Sequence, residues 1–244
     1  MKKISKRLQK IDSMISDHYQ SIWDCCCDHG LLGFSLLKRK AAQKIHFVDI
    51  VPSLTSNIEQ LLQQHFNSID YVQHWQVHCI DVAKIPLTKQ DKQLVIIAGV
   101  GGELLTNLVE KTISNYRQEY PDNSTSWLEF ILCPVHHNYQ VRQTLIKHNF
   151  ILVDECIVTE NKRFYEIIHV KVQLTNKPTK QEYVSSLSTV GDKMWDFSLN
   201  EHQQYLSKTI KHYQLMSLAA PSSEQDKIKT IIEQYSSLFP LVNT

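Results

Sequence analysis

No stretch of the chain approaches the roughly 20 consecutive apolar residues of a membrane-spanning helix. The N-terminus, Met1-Lys2-Lys3-Ile4-Ser5-Lys6-Arg7, turns amphipathic instead of entering the apolar core of a signal peptide, so a cytoplasmic protein without a membrane partner is expected. Charge of one sign is also missing. The 26 Lys and Arg against 25 Asp and Glu leave +1, which decides nothing about a partner because a nearly neutral chain can still carry a basic face. The six cysteines, Cys25, Cys26, Cys27, Cys79, Cys133 and Cys156, lack the paired C-x-x-C spacing of a zinc site. Alternate strand residues face opposite sides of a sheet, so the first three cannot converge on one ion. Reduced, buried thiols and no metal are expected. The chain has no internal repeat and no low-complexity tract, and glycine is scarce, at 6 of 244 residues.

What is present is alternation. After an N-terminal helix from Ser5 to about Met14, apolar runs mark strands at Ile22 to Cys26, Ile45 to Val48, Gln76 to Cys79, Leu94 to Ala98, Phe130 to Cys133, Phe150 to Val158 and Tyr165 to Val172. Helical patterns lie between them at Leu31 to Arg39, Leu54 to His65, Glu103 to Tyr116 and Asn138 to His148. This order predicts a parallel sheet with helices on both faces. Only Thr159-Glu160-Asn161-Lys162-Arg163 separates the last two strands, which is hairpin length, so they are expected to be antiparallel. Such a closing hairpin is the arrangement of class I methyltransferases; dehydrogenase-type domains end in another parallel strand.

From about Gln173 the composition shifts. Thr175 to Thr179 reads as a linker, Glu201 to Leu218 as a helix, and Ala220-Pro221-Ser222-Ser223 as a stop, with Ser222 or Ser223 capping a second helix. The expected domains are therefore 1–173, a Rossmann-like α/β unit, and 181–244, a helical hairpin.

Ile22-Trp23-Asp24-Cys25-Cys26-Cys27-Asp28-His29-Gly30 is an apolar run ending in a polar turn. Asp24 is followed at two-residue steps by Cys26, Asp28 and Gly30, where a glycine-rich cofactor loop would have three glycines. Asp49, at the end of the second strand, suits a carboxylate accepting both ribose hydroxyls, or alternatively a cap for the next helix. Asp81 sits where such folds hold an adenine amino group, with a turn-forming aspartate as the competing reading. Ala98-Gly99-Val100-Gly101-Gly102 follows the strand across the switch point from the first. Its three glycines are expected to leave room for a flat acceptor.

Ser5-Lys6-Arg7-Leu8-Gln9, Asp24-x-x-x-Asp28-His29, Asp81, Ala98-Gly99-x-Gly101-Gly102 and Tyr165-Glu166 together resemble the bacterial tRNA (adenine(22)-N(1))-methyltransferase family over roughly residues 4 to 172. The C-terminal hairpin resembles that family's coiled-coil appendage. The resemblance implies S-adenosylmethionine as cofactor, held by Asp24, Cys26, Asp28, His29, Gly30, Asp49, Asp81, Ala98 and Gly99. Asp81, Gly99 and Gly101 then lie at the reacting centre. It implies tRNA as partner, touched by Lys6, Arg7, Gly102 and Tyr165, and a monomer or weak homodimer. A basic face would join Lys2, Lys3, Lys6, Arg7 and Lys10 to Lys162 and Arg163. The chain departs from the family at Cys26, where glycine is usual, and at Cys133-Pro134-Val135, where the family has Gln-Pro-Asn; His136, His137 or Asn138 are the nearest replacements. The alternatives are a methyltransferase for a small molecule or protein, and a non-catalytic RNA-binding module.

Overall fold

The computed structural model describes residues 4–16, 18–89, 92–121, 127–174 and 187–239. The expected linker at 175–179, and Lys2 and Lys3 of the expected basic face, lie outside them. Two compact units appear, 1–189 and 190–244.

The first unit holds a seven-stranded sheet in the order β3-β2-β1-β4-β5-β7-β6. Strands β1 (Tyr19–Cys25), β2 (Ala42–Asp49), β3 (Trp75–Cys79), β4 (Gln93–Ala98) and β5 (Trp127–Cys133) are parallel. Strand β7 (Arg163–Gln173) runs antiparallel to both β5 and β6 (Ile151–Glu160), as the hairpin-length turn requires. Leu94, Val95, Ile96 and Ile97 of β4 are fully buried because both faces are covered, which is why the strand reads as an unbroken apolar run. One face packs Val95 and Ile97 against Leu105 and Val109 of α4 (Gly102–Glu119) and Val141 of α5 (Asn138–Lys147). The other packs Leu94 and Ile96 with Ile11 of α1 (Lys6–Met14), Leu36 of α2 (Leu31–Lys38), and Ile58 and Leu62 of α3 (Pro52–His65).

The sheet order reverses between β1 and β4, so their carboxyl ends flank the crevice where open α/β sheets bind ligands. Strand β1 begins three residues before its apolar run. Tyr19 extends it by pairing with Ala42, and its hydroxyl donates to Glu129 Oε2 at 2.7 Å.

Arg142 on α5 is fully buried between Glu155 of β6 and Glu166 of β7, at 2.7 Å from each carboxylate. This ion network ties the helix to the closing hairpin, and it gives Glu166 a structural partner.

The second unit contains α6 (Asn200–Ala219) and α7 (Ser222–Ser236), joined through Ala220 and Pro221. Tyr213 and Tyr235 stack across the pair at 5.9 Å. The expected serine cap is not made: Pro221 is the N-cap, without a side-chain hydrogen bond, and Ser222 is already helical.

All six cysteines are free thiols, but not all are buried as expected. Cys25 and Cys133 are buried, Cys26, Cys27 and Cys156 are half-buried, and Cys79 is exposed because β3 is the edge strand. Among the described residues no three His, Cys, Asp or Glu side chains converge as metal ligands. No described helix is long and apolar enough to cross a membrane.

Candidate active site at the switch point

The loop from β1 to α2 has a backbone that its sequence does not advertise. Cys26, Asp28 and Gly30 all take left-handed conformations, with φ of 55°, 51° and 67°. These are the three positions at which a glycine-rich loop would carry glycine, so the fold keeps that loop's path while supplying one glycine. Aspartate tolerates this region better than most residues, and cysteine does not. Gly30 could not easily be replaced, since a Cβ would meet Phe47 Cδ1 at 3.1 Å. Three residues on, a Cβ at Gly33 would stand 2.3 Å from Phe47 Cε1, so this glycine lets α2 approach β2 closely.

Two carboxylates hold that path. Asp24 is only 5% exposed, and its Oδ2 accepts from the Gly33 N–H at 2.8 Å, inside the first turn of α2. Burial pushes its carboxyl up to about 7, opposed by the Gly33 bond and reinforced by nearby Asp49. Asp49 is 8% exposed; Oδ2 accepts from Asp28 N at 3.1 Å and Oδ1 from Val51 N at 3.0 Å. Both readings of Asp49 are therefore compatible: it steadies the entry to α3, whose N-cap Val51 has no side-chain cap, and each oxygen retains a second lone pair. Asp28 and His29 side chains are exposed, with His29 Nε2 3.9 Å from Asp28 Oδ1. Asp28 joins the loop through its backbone. Half-buried Asp81 caps a single 3-10 turn, Val82–Lys84, through Oδ1 and the Ala83 N–H at 2.9 Å. Its turn-forming role is thus present at the end of β3, beside the same crevice.

Beyond β4, Ala98 is half-buried and the glycine turn is filled in a way the sequence does not suggest. The room expected at Gly101 and Gly102 is taken by the protein itself. A Cβ on Gly101 would lie 2.6 Å from His136 Cε1, and one on Gly102 2.7 Å from the His136 carbonyl and 2.8 Å from His137 Cβ. Backbone bonds from Val135 N to Val100 O and from Gly102 N to His136 O zip the loop after β5 onto the turn. Gly99 differs: its φ is +87° and its nearest neighbour is the Arg7 guanidinium, 3.4 Å from the Cβ position.

Arg7 is turned inward. Its guanidinium carbon lies 4.9 Å from the Tyr165 ring centroid, a cation–π contact, and the group also lies against the Cys133 thiol. Burial pushes that thiol up to about 12 despite the cation. Arg7 Nε is buried without a hydrogen-bond partner among the described residues. Lys6, by contrast, is exposed, and its backbone N–H donates to Glu160 Oε1 at 2.6 Å, next to the turn that carries Lys162 and Arg163. The two basic residues expected to share one face are thus divided between the crevice and the surface.

A model of the methyltransferase domain family matches residues 4–168. The chain belongs to that family. This methyltransferase-family chain is 28% identical over 167 residues to the tRNA (adenine(22)-N(1))-methyltransferase of Bacillus subtilis, a match spanning 68% of the chain and 64% of that relative. Among solved structures, the B. subtilis m1A22 tRNA methyltransferase TrmK superposes with a TM-score of 0.72 at 18% identity, covering 96% of this chain and 98% of that one. M. capricolum TrmK, solved with S-adenosyl-homocysteine, superposes at 0.68 with 15% identity, covering 96% of each chain. The two superpositions show the fold. His136 is one of the three replacements the sequence offered after the departure at Cys133; its seat against Gly101 and the inward course of Arg7 escaped the sequence reading.

Proposed function

We propose that the protein transfers a methyl group from S-adenosylmethionine to N1 of an adenine in tRNA, adenine 22. The observation that carries the reading is the Asp49 carboxylate, buried at the end of β2 and bonded to the left-handed loop after β1, across the switch point from a cation-lined turn. The residues fit a nucleoside cofactor: Asp49 retains acceptor capacity for a ribose diol, and Cys26, Asp28 and Gly30 bring backbone close to it. The B. subtilis relative named for adenine-22 methylation supports the substrate.

When bound, S-adenosylmethionine supplies an electrophilic methyl. The adenine N1 already carries a lone pair and a departing thioether needs no acid, so the enzyme's own residues chiefly align the reactants. No covalent enzyme intermediate is required. Asp81 is assigned to hold an exocyclic amine through the carboxylate oxygen that does not cap the 3-10 turn. A base engaged in tRNA structure must be extruded to reach the Gly99 turn. Lys6, on the surface, is suited to phosphate; Arg7 and Tyr165 are suited to the extruded nucleotide.

The test is to incubate the protein with labelled S-adenosylmethionine and bulk tRNA from a strain lacking it, then digest the RNA and identify the labelled nucleoside. 1-Methyladenosine is expected, and Asp81→Ala is expected to abolish it without unfolding the chain. Cofactor binding with no labelled RNA would overturn the RNA reading in favour of another acceptor. Absence of cofactor affinity would overturn methyl transfer itself.

A further inference from the structure

Gly101 poses a question its backbone does not answer. Its φ of −67° and ψ of 150° are ordinary for any residue, so conformational freedom does not account for a glycine there. What does is the imidazole of His136, whose Cε1 and Nε2 would lie 2.6 and 2.8 Å from a Cβ at that position. The ring is therefore seated edge-on in the notch of the missing side chain. Its backbone is fixed on both sides by the bonds from Val135 N to Val100 O and from Gly102 N to His136 O. The adjoining His137 ring braces it edge to face, at 4.3 Å and 70°.

His136 nevertheless remains exposed. An exposed aromatic ring held this firmly by main chain has no role in core packing. It stands against the Gly99–Gly102 turn at Gly101, while the Arg7 guanidinium, stacked on Tyr165, reaches the same turn at Gly99. We infer that His136 is a substrate-specificity residue, which stacks on the extruded purine over the glycine turn. This rests on the reading of the protein as a tRNA adenine methyltransferase. Stacking is the chemistry offered because a base in a single-stranded state presents a π-face, and base–aromatic stacking carries substantial binding energy. Such a contact lies on the acceptor side of the crevice, remote in role from Asp49 and the loop after β1.

The experiment measures kcat and KM for unmodified tRNA, together with S-adenosylmethionine affinity by calorimetry, for the native chain and three variants. His136→Ala is expected to lower kcat/KM for tRNA at least tenfold with cofactor affinity unchanged. His136→Phe, which keeps a flat ring, is expected to stay within threefold of native. Gly101→Ala, which pushes the ring from its notch, is expected to reproduce the His136→Ala loss. If His136→Ala matches the native enzyme within twofold, or if His136→Phe is as defective as His136→Ala, stacking by His136 is overturned while the methyltransferase reading stands. If the native chain methylates no tRNA, that reading falls and this one falls with it.

Discussion

The carboxylate of Asp24 accepts a hydrogen bond from the Gly33 N–H at 2.8 Å, although burial alone would favour leaving the group neutral. Its carboxyl is held near 7 against 3.8 in the unfolded chain, so the folded state takes up a proton between those values. The stability linked to this proton is complete below about pH 4 and is lost as pH rises toward 7, by on the order of 4 kcal/mol. Asp24→Asn keeps an acceptor for Gly33 and removes the charge. Its advantage over native in urea denaturation should grow from pH 5 to pH 8. An unchanged difference between the two pH values would refute the assignment. The comparison must be made as a difference, because His46 works the other way. Burial, aided by His78 and Lys44, pushes its imidazole down to about 3, so its contribution is lost as pH falls below about 6.5.

Strain in the loop after β1 can be read by substitution. A left-handed cysteine costs about 1–2 kcal/mol, and glycine returns roughly 0.5–1 kcal/mol of that through unfolded-chain entropy. Cys26→Gly should therefore be neutral or stabilising by up to about 1 kcal/mol. Gly30→Ala should destabilise by roughly 1–3 kcal/mol, since it adds both strain and a contact with Phe47. Thermal melting of the pair checks this; a Cys26→Gly variant clearly less stable than native would refute the strain account.

Most of the fold was legible in the sequence because the strands of a doubly covered parallel sheet are unbroken apolar runs, and β4 from Leu94 to Ile97 is the plainest case. The turn after β6 was legible from its length. Strand ends were less so: Tyr19 to Ser21 become strand through pairing with β2 and β4, which no local pattern encodes. In the candidate site, Asp49 stands at the end of the second strand, where the sequence puts it. The loop after β1 did not, since its left-handed path is imposed by surrounding bonds on residues that do not prefer it. Likewise, nothing in Gly99 to Gly102 says that His136 occupies the notch, because that contact spans two loops distant in sequence.

The buried ion network makes a sharper demand. Removing one partner of a buried pair leaves uncompensated charge and costs about 3–5 kcal/mol. Arg142→Met strands Glu155 and Glu166 together, both fully buried side chains. It should destabilise the first unit by at least that amount in urea denaturation. A loss below about 1 kcal/mol would show that the carboxylates neutralise without cost.

Lys6 and Arg7 are neighbours in sequence with different surroundings, and their variants should separate accordingly. Lys6→Ala should weaken tRNA binding and reduce the slope of log affinity against log salt by about 1. Arg7→Ala should chiefly lower turnover, because it removes the group stacked on Tyr165 beside Gly99. Neither should alter cofactor affinity. Identical salt slopes for native and Lys6→Ala would remove Lys6 from the RNA contact.

Reversing one strand changes which end of it meets the crevice. In β1, β2, β4 and β5 the last residues arrive there, whereas β7 runs the other way and delivers its first ones, Tyr165 among them, while Ile168 already pairs with Leu132 of β5. The turn at Asn161 and Lys162 therefore lies at the crevice end of the sheet and is not a remote connection. Lengthening that turn offers a route to altering the mouth of the crevice while the pairs from Glu160 and Arg163 onward stay in register.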